Sequence, residues 1–353
     1  MLTSLEMCAG AGGQALGLEQ AGFDHAACVE IDPDCCATLR LNRAWRVEQC
    51  DLNSFDGRPY RNQIDLLAGG LPCPPFSIAG KQLGEDDERN LFPAALRIID
   101  EIQPKAIMIE NVRGLLSAAF QDYREWIEVQ LRKQNYEARW RLFNASDYGV
   151  PQLRPRLIFV AVRRQFSGRF EWPAPSPFDP PTVGATLVDL MGSGGWRGAK
   201  RWSERANDVA PTLVGGSKKH GGPDLGPTRA RASWATLGVD GRGLADAPPP
   251  VDFIGMPRLT VRMAARIQGF PDDWRFSGRK TASYRQVGNA FPPPVAAAVG
   301  RQVAAALNVS LTHRDHARRL QFITAHARDG KLPVDLDWHA LADRAATSVV
   351  YMG

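Results

Sequence analysis

The residue with the clearest chemical potential is Cys73, which lies between two prolines shortly after the apolar run 64–68. Proline fixes its own φ angle and restricts the residue before it, so Pro72 and Pro74 confine the backbone that carries the thiol. A structural cysteine in a core needs no such restraint. The pattern therefore predicts that Cys73 is a nucleophile in a fixed backbone conformation. The alternative is a stiff loop around an ordinary buried cysteine.

A carboxylate is expected beside this thiol, because Glu110 ends another apolar run, 105–110. Two such runs often become neighbouring strands of one sheet, which lets Cys73 and Glu110 face one pocket. A thiolate next to a carboxylic acid is poorly suited to hydride transfer. It suits addition to C6 of a pyrimidine while the acid hydrogen-bonds N3 of the ring, which creates carbanion character at C5.

A glycine-rich turn, residues 10–13, follows the first apolar run, 2–7. Such a turn presents backbone N–H groups to a ligand, although its spacing is not the G-x-G-x-x-G of nicotinamide-binding folds. Glu30 ends the second apolar run and can bind ribose hydroxyls, and Asp51 ends the third and can accept from an adenine amine. Each acid alone is more simply a surface residue. Together they favour an adenosine-containing cofactor, either NAD or S-adenosylmethionine.

Short apolar runs alternate with helical patterns through the first 164 residues. Strands that alternate with helices form a mostly parallel sheet, so the predicted fold class is α/β with a doubly wound sheet. Ligands of such folds bind at the carboxyl ends of the strands. The predicted strands are 2–7, 26–30, 47–52, 64–68, 105–110 and 156–162, and the predicted helices are 14–21, 34–42, 91–102 and 123–134.

From about residue 165 to 257 the pattern changes, because glycine and proline become dense and helical periodicity is absent. We expect a second, irregular domain there. Residues 197–231 contain eight Lys or Arg against three acids. A solvated face can carry such an excess, but the mixture with glycines and aromatic residues favours a nucleic-acid surface. Regular structure is expected to resume at 261–268, a helix is expected at 292–307, and the charged tail beyond it is expected to be helical.

The composition is that of a globular protein of 353 residues, with a net charge of +5 and a pI near 9.0 that permit a polyanionic partner without requiring one. The sequence has no apolar run long enough to span a membrane and no secretion signal at its start, which predicts a cytoplasmic protein. All six cysteines fall within the first 73 residues without a CxxC pair, so reduced thiols are expected and a metal site is not.

Six ordered blocks of the chain resemble the C5-cytosine-specific DNA methyltransferase family of bacteria. The blocks are MCAGAGG (7–13), GLPCPPFS (70–77), ENV (110–112), NASDYGVPQLRPR (144–156), RIQGFP (266–271) and QVGNA (286–290). The resemblance implies the class I methyltransferase fold, S-adenosylmethionine as cofactor and double-stranded DNA as substrate. It also implies a monomer at the bacterial nucleoid and allows for a cognate restriction endonuclease as a functional partner.

The same resemblance implies roles for individual residues. Cys73 matches the covalent nucleophile and Glu110 its acid partner, while Arg154 and Arg156 match groups that bind the flipped base at O2 and hold the catalytic loop. A structural pair at a strand edge is the alternative for the two arginines. The implied cofactor-binding residues are Cys8, Ala9, Gly10, Gly12, Gly13, Glu30, Ile31, Asp51, Leu52, Pro72, Leu91 and Asn289. The implied DNA-binding residues are Ser77, Lys81, Gln82, Thr212, Leu213, Lys218 and Lys219.

The family pattern also predicts the division of the chain. Residues 1–164 form a catalytic and cofactor-binding domain, 165–282 a target-recognition domain, 283–307 a helix that returns to the first domain, and 308–353 a C-terminal extension. Three positions depart from the pattern. Pro74 replaces a glutamine that can fill the gap left by an extruded base, and Cys8 and Ile31 stand where aromatic residues are common.

The predicted reaction is methyl transfer from S-adenosylmethionine to C5 of a cytosine flipped out of duplex DNA, through a covalent bond between Cys73 and C6. Methylation of cytosine in transfer RNA is the alternative. That branch of the family carries a Cys-Phe-Thr element in its later half, and here no cysteine follows Cys73. A catalytically silent DNA-binding module and a nicotinamide oxidoreductase are weaker alternatives.

Overall fold

The computed structural model describes residues 2–72, 90–215 and 224–307, and the backbone of 319–324 and 346–351. The chain divides into two compact units, Met1–Ala306 and Leu307–Gly353. In the second unit, Arg319–Thr324 and Ala346–Tyr351 pair as parallel strands. The expectation of a helical tail was therefore wrong for these residues.

A seven-stranded sheet forms the centre of the first unit. Its strands are β1 (Leu2–Met7), β2 (Phe23–Glu30), β3 (Val47–Gln49), β4 (Leu66–Gly70), β5 (Ala106–Asn111), β6 (Tyr136–Asn144) and β7 (Pro155–Arg163). Their order is β3-β2-β1-β4-β5-β7-β6. The neighbours from β3 to β5 pair in parallel, whereas β7 runs antiparallel to both β5 and β6. The predicted doubly wound, mostly parallel sheet is confirmed.

Eleven α-helices lie in the described part of the first unit. They are α1 (Gly13–Gln20), α2 (Pro33–Asn42), α3 (Phe92–Ile102), α4 (Gln121–Lys133), α5 (Arg164–Ser167), α6 (Val183–Gly192), α7 (Ala199–Arg205), α8 (Thr228–Thr236), α9 (Val261–Ile267), α10 (Lys280–Asn289) and α11 (Pro293–Ala306). Apolar side chains of α3 and α4 form one core with Leu5, Leu67 and Ile107 of the sheet. Side chains from α6 to α10 form a second core around Trp234 and Tyr284.

Although residues 165–257 show no helical periodicity in the sequence, they contain most of α5 and three further short helices, α6 to α8. These helices are seven to ten residues long and bury few side chains; α7 buries Ala199 and Trp202, and α8 buries Trp234 alone. Strand β6 was also missed. It lies at the edge of the sheet and buries only Tyr136 and Phe143. Elements that bury so little leave a weak periodicity in the sequence.

A carboxyl group lies inside the sheet at Glu6 of β1, which pairs with Cys28 on one side and Ala68 on the other. The residue is 0% exposed, and neither carboxyl oxygen has a hydrogen-bond partner among the described residues. Burial raises the pKa of Glu6 to about 8, because the charged form loses its hydration. The carboxyl is therefore mainly protonated in the folded protein at neutral pH.

This burial predicts a pH-dependent stability. The unfolded chain ionises Glu6 near the ordinary pKa of 4.5, whereas the folded protein holds the proton until about pH 8. Stability therefore falls as pH rises between these values, because the folded state binds the extra proton. We expect Glu6→Gln to flatten this slope and to raise the free energy of unfolding near pH 8 by a few kcal/mol, on the order of 1.4 kcal/mol per unit of pKa shift.

Urea unfolding at a series of pH values measures both effects. Glu137→Gln, at an exposed position of β6, serves as the matched control and should leave the slope unchanged. A Glu6→Gln variant with the same pH slope as the unaltered protein would contradict the assignment of the proton to this residue.

Candidate active site

The carboxyl ends of β4 and β5 lie side by side, and Gly70 pairs with Glu110. A Cβ atom built on Gly70 would lie 3.5 Å from Oε2 of Glu110, so this carboxyl faces the end of β4. Cys73 lies outside the described residues. In the sequence it follows Gly70, the last residue of β4, by three positions.

The Glu110 carboxyl is held by an arginine from the neighbouring strand. Nε of Arg156, in β7, lies 2.7 Å from Oε1 of Glu110, and the two side chains are 16% and 12% exposed. Burial raises the pKa of Glu110, although Arg156 and Arg154 oppose the shift. One carboxyl oxygen is thus fixed by a cation, and the other faces Gly70 in a site that favours the protonated acid.

Arg154 is wholly buried and bonds to backbone rather than to open space. Nη1 donates to the carbonyl of Leu213 at 2.8 Å, and Nη2 donates to the carbonyls of Gly288 at 2.8 Å and Ala290 at 3.1 Å. Burial holds the pKa of this guanidinium below its usual range. These contacts tie Arg154 to Leu213 and to the end of α10, whereas the catalytic loop that it was predicted to hold lies outside the described residues. No atom of Arg154 is exposed for the predicted contact with a base.

Thr212 and Leu213, which were predicted to contact DNA, also bond to the residues just before β7. The Thr212 hydroxyl donates to the carbonyl of Leu153 at 2.5 Å, and its residue is partly exposed. Leu213 is 1% exposed and packs in the second core. The other predicted DNA-binding residues, Ser77, Lys81, Gln82, Lys218 and Lys219, lie outside the described residues.

Two buried glutamines were not singled out from the sequence. Oε1 of Gln152 accepts from the Leu213 N–H at 2.8 Å, and Nε2 of Gln152 donates to Oε1 of Gln268 at 2.7 Å. Gln268 in turn donates to the carbonyl of Ala290. Both glutamines are 0% exposed. The only sign of them in the sequence was that Gln152 begins the Gln-x-Arg-x-Arg motif and Gln268 lies in the RIQGFP block.

The glycine turn and Glu30 form an open cradle at the ends of β1 and β2. Oε2 of Glu30 accepts from the Gly10 N–H at 2.7 Å, and Oε1 accepts from the N–H groups of Ile31 and Asp32 at 2.8 Å. Gly10 has a φ of 54°, and a Cβ built there would meet no atom within 4 Å. Three amides therefore fix the carboxylate beside free space that a ligand can fill.

Asp51 lies at the same edge of the sheet, two residues beyond β3. Gln49 pairs with Glu30, and the Cys50 N–H donates to the carbonyl of Glu30 at 3.1 Å. Asp51 is exposed, and its Oδ1 accepts from the Asn53 N–H at 2.8 Å. Two carboxylates beside an open glycine turn suit the hydroxyl and amine donors of an adenosyl group, so the residues present fit S-adenosylmethionine.

The remaining predicted cofactor residues differ in exposure. Ile31 is 61% exposed, Leu52 is 3% exposed, and burial raises the pKa of the Cys8 thiol. Gly12 and Gly13 are buried in the turn with Ala9. Pro72 and Asn289 are exposed, and Leu91 is partly exposed directly before α3.

A model of the C-5 cytosine-specific DNA methylase family matches residues 2–305. The chain belongs to this family. It is 55% identical to the type II methyltransferase M.NaeI of Lentzea aerocolonigenes, over 90% of this chain and 78% of that protein. It is 56% identical to the type II methyltransferase M.NgoMIV of Neisseria gonorrhoeae, over 86% of this chain and 98% of that protein.

Solved structures share the fold of this methyltransferase. An Escherichia coli prophage protein described as a DNA modification methyltransferase superposes with a TM-score of 0.62 at 25% identity, covering 88% of this chain and 100% of that one. Spodoptera frugiperda DNMT2 superposes with a TM-score of 0.60 at 17% identity, over 86% of this chain and 99% of that one.

These comparisons confirm the predicted fold class, S-adenosylmethionine as cofactor, and DNA cytosine-5 methylation as the activity. They favour DNA over the transfer RNA alternative, because the relatives that are 55% and 56% identical over the aligned residues are type II methyltransferases. In the described residues, every helix is too short or too polar to cross a membrane.

The contacts of Arg154 predict a large loss of stability when it is truncated. Arg154→Met keeps much of the side-chain volume but leaves the carbonyls of Leu213, Gly288 and Ala290 without their donor. We expect the free energy of unfolding to fall by about 3 kcal/mol or more, as for other broken buried polar networks. Arg164→Met, at an exposed position, is the matched control and should change stability by about 0.5 kcal/mol at most. Equal losses in chemical unfolding would refute the holding role.

Proposed function

We propose that the methyltransferase bonds the thiolate of Cys73 to C6 of a cytosine flipped out of duplex DNA, with Glu110 as the acid at N3. The supporting observation is the Glu110 carboxyl, which Arg156 holds at 2.7 Å beside the end of β4, three positions before Cys73. A fixed, readily protonated carboxyl next to the expected position of a thiol suits pyrimidine addition better than any other chemistry weighed for this chain.

In the proposed reaction, the Cys73–C6 bond forms as the electrons of the C5=C6 double bond move to C5. Glu110 donates a hydrogen bond to N3 from the oxygen that Arg156 leaves free, which stabilises the negative charge that spreads over the ring. S-adenosylmethionine, when bound, supplies an electrophilic methyl group for C5. A base then removes the C5 proton, and the released electron pair expels the Cys73 thiolate and restores the double bond.

The arginines take different parts in this proposal. Arg156 orients Glu110 and is partly exposed, so it can also reach O2 of the base. Arg154 is a positioning residue, since its guanidinium is occupied by backbone carbonyls. We assign Glu30 to the ribose hydroxyls and Asp51 to the adenine amine, supported by their common place at the edge of β2 and β3. Asn289 is assigned to the methionine end of the cofactor.

The division of the chain and its cellular setting are further parts of the proposal. We assign residues 1–164 to catalysis, 165–282 to target recognition, 283–307 to a returning helix and 308–353 to an extension. The type II names of the two relatives described above support a cognate restriction endonuclease as a functional partner. A substrate in chromosomal DNA favours a place in the bacterial cytoplasm, associated with the nucleoid, and we assign the protein there as a monomer.

The nucleophile assignment is tested by Cys73→Ser, which retains size but lacks a good nucleophile. We expect methyl transfer to fall by about a thousandfold or more, with the Kd for S-adenosylhomocysteine unchanged. Cys35→Ser, at a partly buried position of α2, is the matched control and should remain active. Bisulfite sequencing of plasmid DNA from cells that express each protein reports the methylated base and its site. Full methylation by Cys73→Ser would refute the assignment.

The acid role of Glu110 predicts a pH dependence. Because burial raises its pKa, the protonated form persists above the range of an ordinary glutamic acid, and the contribution of the acid to kcat should be lost as pH rises through this raised pKa. Glu110→Gln should lower kcat by roughly a hundredfold or more and abolish this loss of rate with rising pH. Single-turnover rates across pH measure both effects. A loss of rate with rising pH that survives in Glu110→Gln would assign it to another group.

A further inference from the structure

Helix α10 contains a glycine, Gly288, one residue before the predicted cofactor residue Asn289. Glycine inside a helix costs about 0.5–1 kcal/mol relative to alanine, so its position calls for a physical reason. A Cβ built on Gly288 would lie 2.4 Å from the nitrogen and 2.5 Å from the Cα of Gly215. The backbone of residue 215 therefore occupies the space that any side chain at residue 288 would need.

The contact is equally tight from the other side. A Cβ built on Gly215 would lie 2.5 Å from the carbonyl oxygen of Arg285 and 2.5 Å from Oδ1 of Asn289. Two glycines thus allow a direct contact between the backbone of α10 and the segment 210–215, which carries Thr212. The contact lies against the side chain of Asn289 itself.

Buried hydrogen bonds fix the same joint. Gln152 accepts from the Leu213 N–H and donates to Gln268, which donates to the carbonyl of Ala290 at the end of α10. Two backbone hydrogen bonds also attach Ala210 to residues 151–153. The Ala210 N–H donates to the carbonyl of Pro151 at 2.9 Å, and the Leu153 N–H donates to the carbonyl of Ala210 at 2.7 Å. Segment 210–215 is consequently attached at four of its residues, Ala210, Thr212, Leu213 and Gly215.

We propose that Gly215, Gly288 and Gln152 are positioning residues that make segment 210–215 and the end of α10 one rigid joint, so that DNA and cofactor bind with positive reciprocal coupling. The inference rests on the proposed contacts of Thr212 with DNA and of Asn289 with the cofactor. Because the joint is rigid, a shift of segment 210–215 on DNA binding is carried to Asn289, and a shift of Asn289 on cofactor binding is carried back to Thr212. Each ligand therefore raises the affinity of the other by the same factor.

The test measures the Kd for duplex DNA with and without S-adenosylhomocysteine, using a short duplex that carries the site found by bisulfite sequencing. In the unaltered protein we expect S-adenosylhomocysteine to tighten DNA binding by about fivefold or more. In Gly215→Ala and in Gly288→Ala the ratio should fall close to one. Gly168→Ala is the matched control, because residue 168 has a φ of −68° and a Cβ there would meet no atom within 4 Å.

The double variant separates this joint from a general loss of stability. If one substitution already opens the contact, the second should add little to the loss of coupling, so the two effects should be strongly non-additive. Gln152→Met loosens the joint without a steric clash and should also lower the ratio, which provides a test even where an alanine variant fails to fold. Melting temperatures identify the variants that remain folded.

Folded variants that retain the full coupling ratio would overturn the inference. An unaltered protein that binds both ligands without coupling would overturn it as well, while leaving the proposed function intact. Failure of the unaltered protein to bind S-adenosylhomocysteine or DNA at all would instead overturn the proposed function.

Discussion

The buried guanidinium of Arg154 joins stretches of chain that are far apart in sequence. It donates to Leu213, Gly288 and Ala290 while its own backbone lies directly before β7. A buried cation is costly unless its donors are satisfied. Nη1 and Nη2 have these carbonyl partners, whereas Nε has none among the described residues, so displacement of any of these stretches adds to the cost. Two residues further on, Arg156 reaches Glu110. The order of the candidate active site therefore depends on one desolvated cation.

Two buried carboxyl groups of the sheet show how an arginine partner changes the effect of burial on a pKa. Glu6 and Glu110 both have pKa values raised by burial. Only Glu110 has an arginine at 2.7 Å, which opposes the shift and fixes one oxygen. Glu6 is deep between two strands, whereas Glu110 is at a strand end where a ligand can approach. Because of this difference in position, Glu6 lowers the stability of the fold at neutral pH, whereas Glu110 is a candidate catalytic acid.

The sequence predicted the parallel part of the sheet because its strands are continuous apolar runs, several of which end in a carboxylate such as Glu30 or Glu110. It did not predict β6, whose exposed edge leaves mixed polar and apolar residues. It also missed Gln152 and Gln268, since a buried amide pair has no local pattern and depends on chain segments over a hundred residues apart. The nucleophile, the acid and the cofactor carboxylates were chosen from local motifs, whereas the joint between segment 210–215 and the end of α10 depends on long-range contacts.

The reversed direction of β7 has a geometric consequence. The other strands from β1 to β5 leave the sheet at the edge that carries Glu30 and Glu110, whereas β7 enters the sheet there. Its first residues, rather than its last, therefore stand beside the ligand-facing edge. A nine-residue strand is about 30 Å long, so the same sequence threaded in the opposite sense would deliver Arg156 to the far side of the molecule. Inversion of a single strand thus places Arg156 at the ligand-facing edge, within reach of Glu110.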